Sequence, residues 1–585
     1  MVKLKRFLNP FLPILPILIL AFLLRIFWLE RFPNGLSHDE IDFIASARTY
    51  WKFGQDSSGV KFPLSLFFTK TDARGGEVPP LLFSPFFGLL PLTLSTVKIP
   101  YVALGILTVA IIFFITLRLF KKKDLALWAM FSTAINPWGI FVGRTAFDAP
   151  VGNFFYLLGF LTLLYCHSWK IFYSFPLFIL AFFSYQGAKI TFIPLLLLFL
   201  GFHYFSSGKL KILPYVSFMG VALLFFTLYT ATVFKLPEGG LGERKKEIIF
   251  FNQEQLAKET DIERRTAITT KIAPLFSNKL TLTFKKIIGN FYGAFSSHFL
   301  FVRGDLRATY AFLDHGFFYY LDGIFLVLGL VGVYLLDRRL WFMLIFSLVV
   351  AVFSSLINLI EQQYIFRSAL MFPLLAIFIG GGIFTVINLA GKKGKIAFLI
   401  IIFLYSLSLL NFLYFAFFRY PILADDAFFQ SERRASKYVL ETERIAPEKK
   451  ITVISDLPRS TFWEYMFFSG NINNDKILEE GIRMTEGSAY RVGNIEFRSK
   501  CPEEKEINEG IIFLVHQQRG CQIERENELT IISPKDAGEI FRIYNDALCS
   551  NSSVERYPRF IYLKDLDIEK MDVPDFCRKW IGRIR

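Results

Sequence analysis

The chain has few of the side chains that bind metals tightly, with 6 histidines and 5 cysteines among 585 residues. No spacing of histidine, cysteine and carboxylate residues defines a metal site. The sequence therefore predicts no cofactor, and a divalent ion shared by Asp39 and Asp148 is an alternative that no motif supports. A clear internal repeat, which is typical of transporters, is also missing.

The N-terminus lacks the small-residue cleavage site of a signal peptide. Lys3, Lys5 and Arg6 precede an apolar run, as they do in secretory signals, but the run ends in the bulky and charged segment Trp28-Leu29-Glu30-Arg31-Phe32. We therefore expect a retained membrane anchor. Because basic residues precede it, its N-terminus is predicted to be cytoplasmic.

Apolar residues, in contrast, are abundant. The chain is 53% hydrophobic and 17% aromatic, with 70 phenylalanines and a mean hydropathy of +0.43, more than a soluble chain of this length needs. The net charge of +15 could indicate nucleic-acid binding. However, the basic residues cluster at the ends of apolar segments, as cytoplasmic loop charges do. The sequence predicts an integral membrane protein that does not bind nucleic acid.

Apolar runs that alternate with basic clusters predict about eleven membrane-spanning helices. Their predicted ranges are 11–29, 97–120, 125–138, 151–167, 171–185, 190–205, 212–234, 317–336, 340–360, 368–390 and 396–418. The run 81–94 contains Pro85 and Pro91 and is predicted to lie in the interface as broken helices. The spans form a predicted membrane domain of residues 1–420 with two outer loops, 30–96 and 235–315.

Residues 421–585 have the composition of a soluble domain, and the topology places this domain outside the cytoplasm. Segments 451–455 and 511–515 indicate buried strands, and 460–468 a helix between them. Four of the five cysteines lie here, which predicts two disulfides; pairing of nearest neighbours joins Cys501 to Cys521 and Cys549 to Cys577. The predicted fold is an all-α polytopic membrane bundle with a C-terminal extracytoplasmic α/β domain.

The first outer loop places two adjacent carboxylates at the start of an amphipathic helix. Ser37-His38-Asp39-Glu40 follows the first span, and Ile41, Ile44 and Ala45 then recur at helical spacing. Since neighbouring helical residues point in different directions, only one acid can face a given substrate atom. The structural alternative is that both acids complement the positive end of the helix dipole.

Other polar residues are predicted to gather on the outer face, where ionisable groups at membrane depth suggest function. They are His38, Arg74, Arg144, Asp148, Gln186, Lys189, Arg303, Asp305 and Arg367. Asp148 has the structural alternative of a first-turn acid beside Pro150. Lys189 could equally be a lysine that extends to the interface. Arg367, at the start of a span, requires an anion from the protein or from a ligand.

Carboxylates together with outward-facing arginine and lysine suit the transfer of a group from a lipid-borne phosphate. A carboxylate takes the proton from the attacking hydroxyl group. The cations stabilise the charge of the departing phosphate, so that no general acid is needed.

Several sequence blocks resemble the glycosyltransferase-C superfamily, in its branch of protein O-mannosyltransferase-like and aminoarabinose-transferase-like enzymes. The blocks occur in family order over roughly residues 12–389: GLSHDEIDFIASA, VPPLLFSPF, VKIPYVALGILTVAIIFFITLRLF, INPWGIFVGRTAFDAPVGNFF, SYQGAKITFIP and YIFRSALMFPLLAI. The resemblance implies inverting transfer of a sugar from a polyprenyl-phosphate-sugar donor to a hydroxyl acceptor (protein, lipid or glycan) on the outer face of the membrane.

The resemblance also implies residue roles. Asp39 corresponds to the general base, Glu40 to an acid on the acceptor side, Asp148 to an acid near the site, and Arg367 to a phosphate contact. The sequence departs from the family at Ile41-Asp42, where many members have Ala-Tyr, and at Thr309, near which members often have a histidine. The first departure alters the acceptor side, and the second puts a role for the FVRGDLRATY loop in doubt.

Two other functions were weighed against transfer. A flippase or transporter of lipid-linked glycans would carry charges at the bilayer midplane and internal repeats, whereas these acids are predicted at the outer surface. A receptor-like scaffold that binds partners through the outer domain leaves the acids unexplained.

Overall fold

The computed structural model describes residues 13–67, 77–206, 211–233, 235, 245–268, 270–305, 309, 311–359, 365–483, 489–521, 529–535, 538–550 and 560–583. The chain divides into two compact units. The first unit consists of Met1–Phe27, Leu66–Pro79 and Ile99–Leu413, and the second of Trp28–Ser65, Pro80–Lys98 and Tyr414–Arg585. Most of the first outer loop therefore groups with the C-terminal residues rather than with the helical bundle.

The first unit is helical, as predicted. Its longer apolar helices are Ile14–Ile26, Ile99–Phe120, Lys123–Ile135, Ala149–Tyr165, Phe175–Ser184, Gln186–Ser206, Leu213–Val233, Tyr320–Leu336, Arg338–Ala351, Met371–Leu389 and Gly394–Tyr414. Shorter or more polar helices are Pro137–Val142, Gln253–Arg265, Ala273–Phe276, Lys279–Ala294 and Phe353–Leu356. Each of the eleven predicted spans coincides with one of the longer apolar helices.

Several of these helices are shorter than the predicted spans. Within the described residues, five segments are long and apolar enough to cross a membrane by length and composition: Thr96–Phe120, Gln186–Ser206, Leu213–Val233, Met371–Leu389 and Gly391–Leu423. The protein is a multi-pass membrane protein, while the number of spans stays a prediction. One predicted span breaks at Asn136, whose side chain accepts a hydrogen bond from the Gly139 amide (2.8 Å) and so begins the short helix Pro137–Val142.

Small residues allow two helices of the first unit to pack with their backbones in contact. A Cβ atom at Gly329, on Tyr320–Leu336, would overlap the carbonyl oxygen of Phe378, and one at Gly382 would overlap that of Phe325. Any larger side chain at these positions would force the helices Tyr320–Leu336 and Met371–Leu389 apart.

The second unit contains the helix His38–Phe53, much of the proline-containing helix Val78–Leu89, and the C-terminal α/β segment. The C-terminal helices are Tyr420–Leu423, Gln430–Ile445, Pro458–Phe468, Asp475–Arg483, Glu504–Asn508 and Val573–Trp580. The strands are β1 (Ile451–Ile454), β2 (Ala489–Val492), β3 (Ile495–Arg498), β4 (Ile512–His516), β5 (Leu529–Ile532), β6 (Glu539–Tyr544) and β7 (Ile581–Arg583).

Within the described residues, the seven strands form one mixed sheet in the order β2-β3-β1-β4-β6-β5-β7. The interior strand β1 pairs in parallel with β3 and β4, and the other pairings are antiparallel. The structure confirms the two predicted strands and the helix between them. The predicted disulfides Cys501–Cys521 and Cys549–Cys577 are also confirmed.

Candidate functional site

The motif acids lie at the start of the helix His38–Phe53, which Ser37 caps. The Ser37 amide donates to Glu40 Oε2 (2.7 Å), and the Glu40 amide donates to Ser37 Oγ (3.4 Å), which together form a capping box. Glu40 is fully buried. The observed contacts of Glu40 therefore fit the structural alternative, in which the acid stabilises the start of the helix. The role of Glu40 on the acceptor side stays a prediction.

Asp39 occupies the second helical position and is half-buried. The neighbouring His38 shares a short hydrogen bond between its Nδ1 and the hydroxyl group of Ser460. Asp42, where the family pattern has another residue type, forms an ion pair with Arg459 (3.1 Å). This contact gives a structural reason for the departure, because Asp42 fastens its helix to the helix Pro458–Phe468.

Glu464 is a buried carboxyl group that no pattern in the sequence indicates. This side chain has no exposed surface, and neither of its carboxyl oxygens has a hydrogen-bond partner among the described residues. Burial, followed by the charges of Glu432 and Glu40, raises the pKa of Glu464 well above its usual value.

In the first unit, Arg144 and Asp148 lie before the helix Ala149–Tyr165. Arg144 is fully buried, and its Nη1 donates to the carbonyl oxygens of Leu24, Arg25 and Phe27 at 2.8–3.1 Å. These oxygens belong to the C-terminal end of the first helix, where carbonyl groups lack intrahelical partners. Arg144 thus stabilises a helix end, and no observation supports its predicted substrate contact.

Asp148 is buried at the N-cap position of Ala149–Tyr165, but its side chain makes no capping hydrogen bond. Pro150 lies in the first turn, as the structural alternative expects. The predicted catalytic role of Asp148 stays a prediction.

Lys189 is buried, which argues against a lysine that merely extends to the interface. Its Nζ lies 2.9 Å from Glu77 Oε1, and Gln186 also hydrogen-bonds to Glu77. The ammonium group lies 5.2–5.8 Å from the ring centroids of Phe182, Phe183 and Tyr229. Aromatic rings and one carboxylate together stabilise this buried cation.

Arg367 pairs with a carboxylate of the protein, since its Nη2 lies 2.5 Å from Glu247 Oε2. Arg367 and Glu247 line a cavity of about 230 Å³, and Gln186 and Lys189 line the same cavity. Apolar and aromatic side chains, among them Tyr229, form most of the remaining lining. The structure therefore brings together three of the predicted substrate-binding residues: Gln186, Lys189 and Arg367.

The remaining predicted residues lie elsewhere or outside the described residues. Arg303 is exposed and its Nε donates to the Leu313 carbonyl (3.2 Å). Asp305 is buried, and its carboxylate accepts the amide of Ile365 (3.2 Å). Arg74 lies outside the described residues. Among the described residues, no group of three or more histidine, cysteine and carboxylate side chains could hold a metal ion.

The partner acids Glu77 and Glu247 were not predicted from the sequence. The signal available was that a buried arginine or lysine needs an anion. However, many outer-loop acids could have supplied it, and spacing along the chain does not distinguish between them.

The fold defines the class of the protein as a multi-pass helical membrane protein with a C-terminal α/β domain. No family model matches the chain, and no curated protein matches its sequence. Among solved structures, it is similar to ArnT from Cupriavidus metallidurans bound to undecaprenyl phosphate, with 10% identity over 92% of this chain and 98% of that chain and a TM-score of 0.42. It is likewise similar to ArnT from the same organism in the apo state, with 8% identity over 92% and 97% and a TM-score of 0.43.

Proposed function

We propose that the protein is a membrane glycosyltransferase that transfers a sugar from a polyprenyl-phosphate donor to a hydroxyl acceptor outside the cytoplasm. The ordered sequence blocks support the family, and one structural observation supports the donor. That observation is the cavity in which Gln186, Lys189 and Arg367 meet beside apolar and aromatic walls. An anionic head group on an apolar tail matches such a lining.

The proposed reaction inverts the anomeric centre. The acceptor oxygen bonds to the anomeric carbon as the bond from that carbon to the phosphate oxygen breaks, and the acceptor proton passes to the Asp39 carboxylate. The leaving polyprenyl phosphate keeps the electron pair. Lys189 and Arg367 are proposed to stabilise its charge through charge-assisted hydrogen bonds.

Two carboxylates of the protein pair with the cations of this cavity. Glu77 lies 2.9 Å from Lys189, and Glu247 lies 2.5 Å from Arg367. A donor phosphate would have to share or replace these contacts. We therefore propose that Glu247 competes with the donor for Arg367.

The test incubates purified protein with a panel of polyprenyl-phosphate sugars and measures released polyprenyl phosphate. Asp39→Asn should lower turnover by about 10²–10⁴ while donor binding persists, because the base contacts only the acceptor. Glu254→Gln, which changes an exposed carboxylate of the first unit, is the matched control. A flippase without chemistry would release no polyprenyl phosphate from any donor. Asp39→Asn turnover close to that of the unmodified protein would exclude Asp39 as the base.

The donor contact has a separate test. Arg367→Ala should weaken both donor binding and turnover, whereas Arg338→Ala, at an exposed arginine of the first unit, should change neither. Glu247→Gln should tighten donor binding, because it removes the competing carboxylate. If the Arg367–Glu247 pair is only structural, Glu247→Gln will leave donor affinity unchanged or weaken it.

A further inference from the structure

The C-terminal sheet contains a change of direction of the kind at which α/β proteins bind ligands. From β1 the chain passes through the helix Pro458–Phe468 and β2 to β3, on one side of β1. From β3 it passes through Glu504–Asn508 to β4, on the other side of β1. The carboxyl ends of the parallel neighbours β1 and β4 therefore flank a topological switch point, which is the usual position of a ligand crevice in open α/β sheets.

A cavity of about 420 Å³ lies at this point. Ser455 and Asp456, directly after β1, and His516 and Gln517, at the end of β4, contribute to its lining. The volume falls within the range of about 300–1,000 Å³ that is typical of small-molecule sites. Hence both the position and the size of the cavity indicate a ligand site, in a part of the chain that the proposed transfer reaction does not use.

The charge of the lining selects the class of ligand. The carboxyl groups that line the cavity are those of Asp426, Glu432, Asp456 and Glu539, and no lysine or arginine is found among the described lining residues. Burial lowers the pKa of His516, so that this ring adds no positive charge at neutral pH. A phosphate or carboxylate ligand would be repelled by the acids and would find no cation to pair with.

Hydrogen-bonding capacity and one aromatic ring refine the choice. Hydroxyl and amide side chains make up much of the remaining lining, and Phe429 presents a half-buried ring. Carboxylate, amide and hydroxyl oxygens accept hydrogen bonds from the hydroxyl groups of a sugar, while an aromatic ring covers the apolar face of a pyranose. Two arginines outside the lining pair with lining acids, Arg519 with Asp456 and Arg542 with Glu539, both at 3.3 Å.

We propose that this cavity binds a carbohydrate unit that carries no anionic group. It is a binding site in the C-terminal domain, and the proposal does not depend on the transferase activity. Glu432 lies at its buried wall with its carboxyl group held by Ser431 (2.5 Å), and Gln517 lies at its exposed rim.

The test measures sugar binding to the full-length protein in detergent by saturation-transfer-difference NMR, with mannose, glucosamine and glucuronic acid as probes. Mannose and glucosamine should bind, and glucuronic acid should not. Glu432→Gln removes a wall acceptor with little change of shape, and Gln517→Trp fills the cavity from its exposed rim without altering a buried group. Each should weaken binding by about tenfold or more, equivalent to about 1.4 kcal/mol. Glu509→Gln, at an exposed acid of the same domain, should leave binding unchanged.

Three results would overturn the proposal. They are the failure of both mannose and glucosamine to bind, equal binding of glucuronic acid, and unchanged binding in Gln517→Trp. Since the readout is binding rather than transfer, a protein that lacks transferase activity but binds mannose would refute the proposed function alone.

Discussion

Replacing the buried carboxyl group of Glu464 with an apolar side chain should stabilise the second unit. Glu464 has no exposed surface, and its carboxyl oxygens have no hydrogen-bond partner among the described residues. The positive charge of Arg433 lies near enough to lower the pKa of Glu464, but its effect is smaller than that of burial. Arg433 is already engaged by both carboxylate oxygens of Glu569, at 2.6 and 2.5 Å. A buried polar group left unsatisfied costs about 1–3 kcal/mol. Glu464→Met, which has a similar volume, should recover that amount.

The gain should depend on pH, and its sign follows from the raised pKa. A carboxyl group whose pKa is higher in the folded state contributes full stability below the pKa of the unfolded chain, and this contribution is lost as the pH rises through the folded pKa. Burial also raises the pKa of the neighbouring Glu432, from 4.5 to about 7. As the pH rises from 4.5 to about 7, that shift alone lowers the free energy of unfolding by about 3 kcal/mol. Glu464→Met should therefore stabilise the protein more at pH 8 than at pH 5.

The assay is the apparent Tm of the full-length protein in detergent, at one scan rate, at pH 5 and pH 8. For a unit of this size, 1 kcal/mol corresponds to about 2–4 °C, so the expected gain is about 2–12 °C. Glu464→Gln cannot ionise but keeps unsatisfied polar atoms, so its Tm should depend less on pH than that of the unmodified protein, and its gain should be smaller than that of Glu464→Met at both pH values. Glu509→Met, at an exposed acid, should leave the Tm unchanged. A lower Tm for Glu464→Met, or an equal gain at both pH values, would refute the reasoning.

Three further predictions concern packing, covalent links and topology. Gly329→Ala should destabilise the first unit by about 1–3 kcal/mol, because its Cβ would overlap the backbone of the neighbouring helix. Gly289→Ala, which lies in open space on the helix Lys279–Ala294, should cause no such loss. Thermal unfolding compares the two variants, and equal Tm values would contradict the packing at Gly329. Cys501→Ala opens a disulfide that spans 20 residues and should cost about 3 kcal/mol, which denaturant unfolding measures; no loss of stability would contradict it. A cysteine placed at Lys393 should be labelled only in permeabilised cells, and one at Glu509 in intact cells; the reverse pattern would overturn the topology.

The parts of the fold that could be predicted from the sequence depend on local patterns. Apolar runs bounded by charges located the eleven longer apolar helices that the described residues contain. One of them is shorter than predicted, because the side chain of Asn136 begins a new helix at Pro137. Runs of branched apolar residues located β1 and β4, the buried strands near the centre of the sheet. The other five strands were not predicted. Polar and apolar residues are mixed in β2, β3, β6 and β7, whereas β5 is as apolar and as buried as β1 and carries the same local pattern.

In the cavity of the first unit, Gln186 and the two cations were predicted from the sequence, but the acids that pair with the cations were not. Arg367 was expected to need an anion, and Glu247 supplies it at 2.5 Å. The anion beside Lys189 is Glu77, at 2.9 Å. Glu77 lies 112 residues before its partner and Glu247 lies 120 residues before its own. No periodicity or motif connects positions so far apart, so that the pairing follows from tertiary structure alone.

Arg144 shows why an outward-facing cation is weak evidence for substrate binding. From the sequence, Arg144 and Arg367 have similar surroundings, since each lies just before a span and close to predicted outer residues. In the structure, Arg144 donates to three carbonyl oxygens of an earlier helix, whereas Arg367 pairs with an acid at the edge of a cavity. A guanidinium group has five N–H donors, and an unpaired helix end offers neutral acceptors that bring no charge to cancel. The distinction rests on whether an acid or a helix end lies nearby in three dimensions, and for that reason Arg367 is the stronger candidate for a phosphate contact.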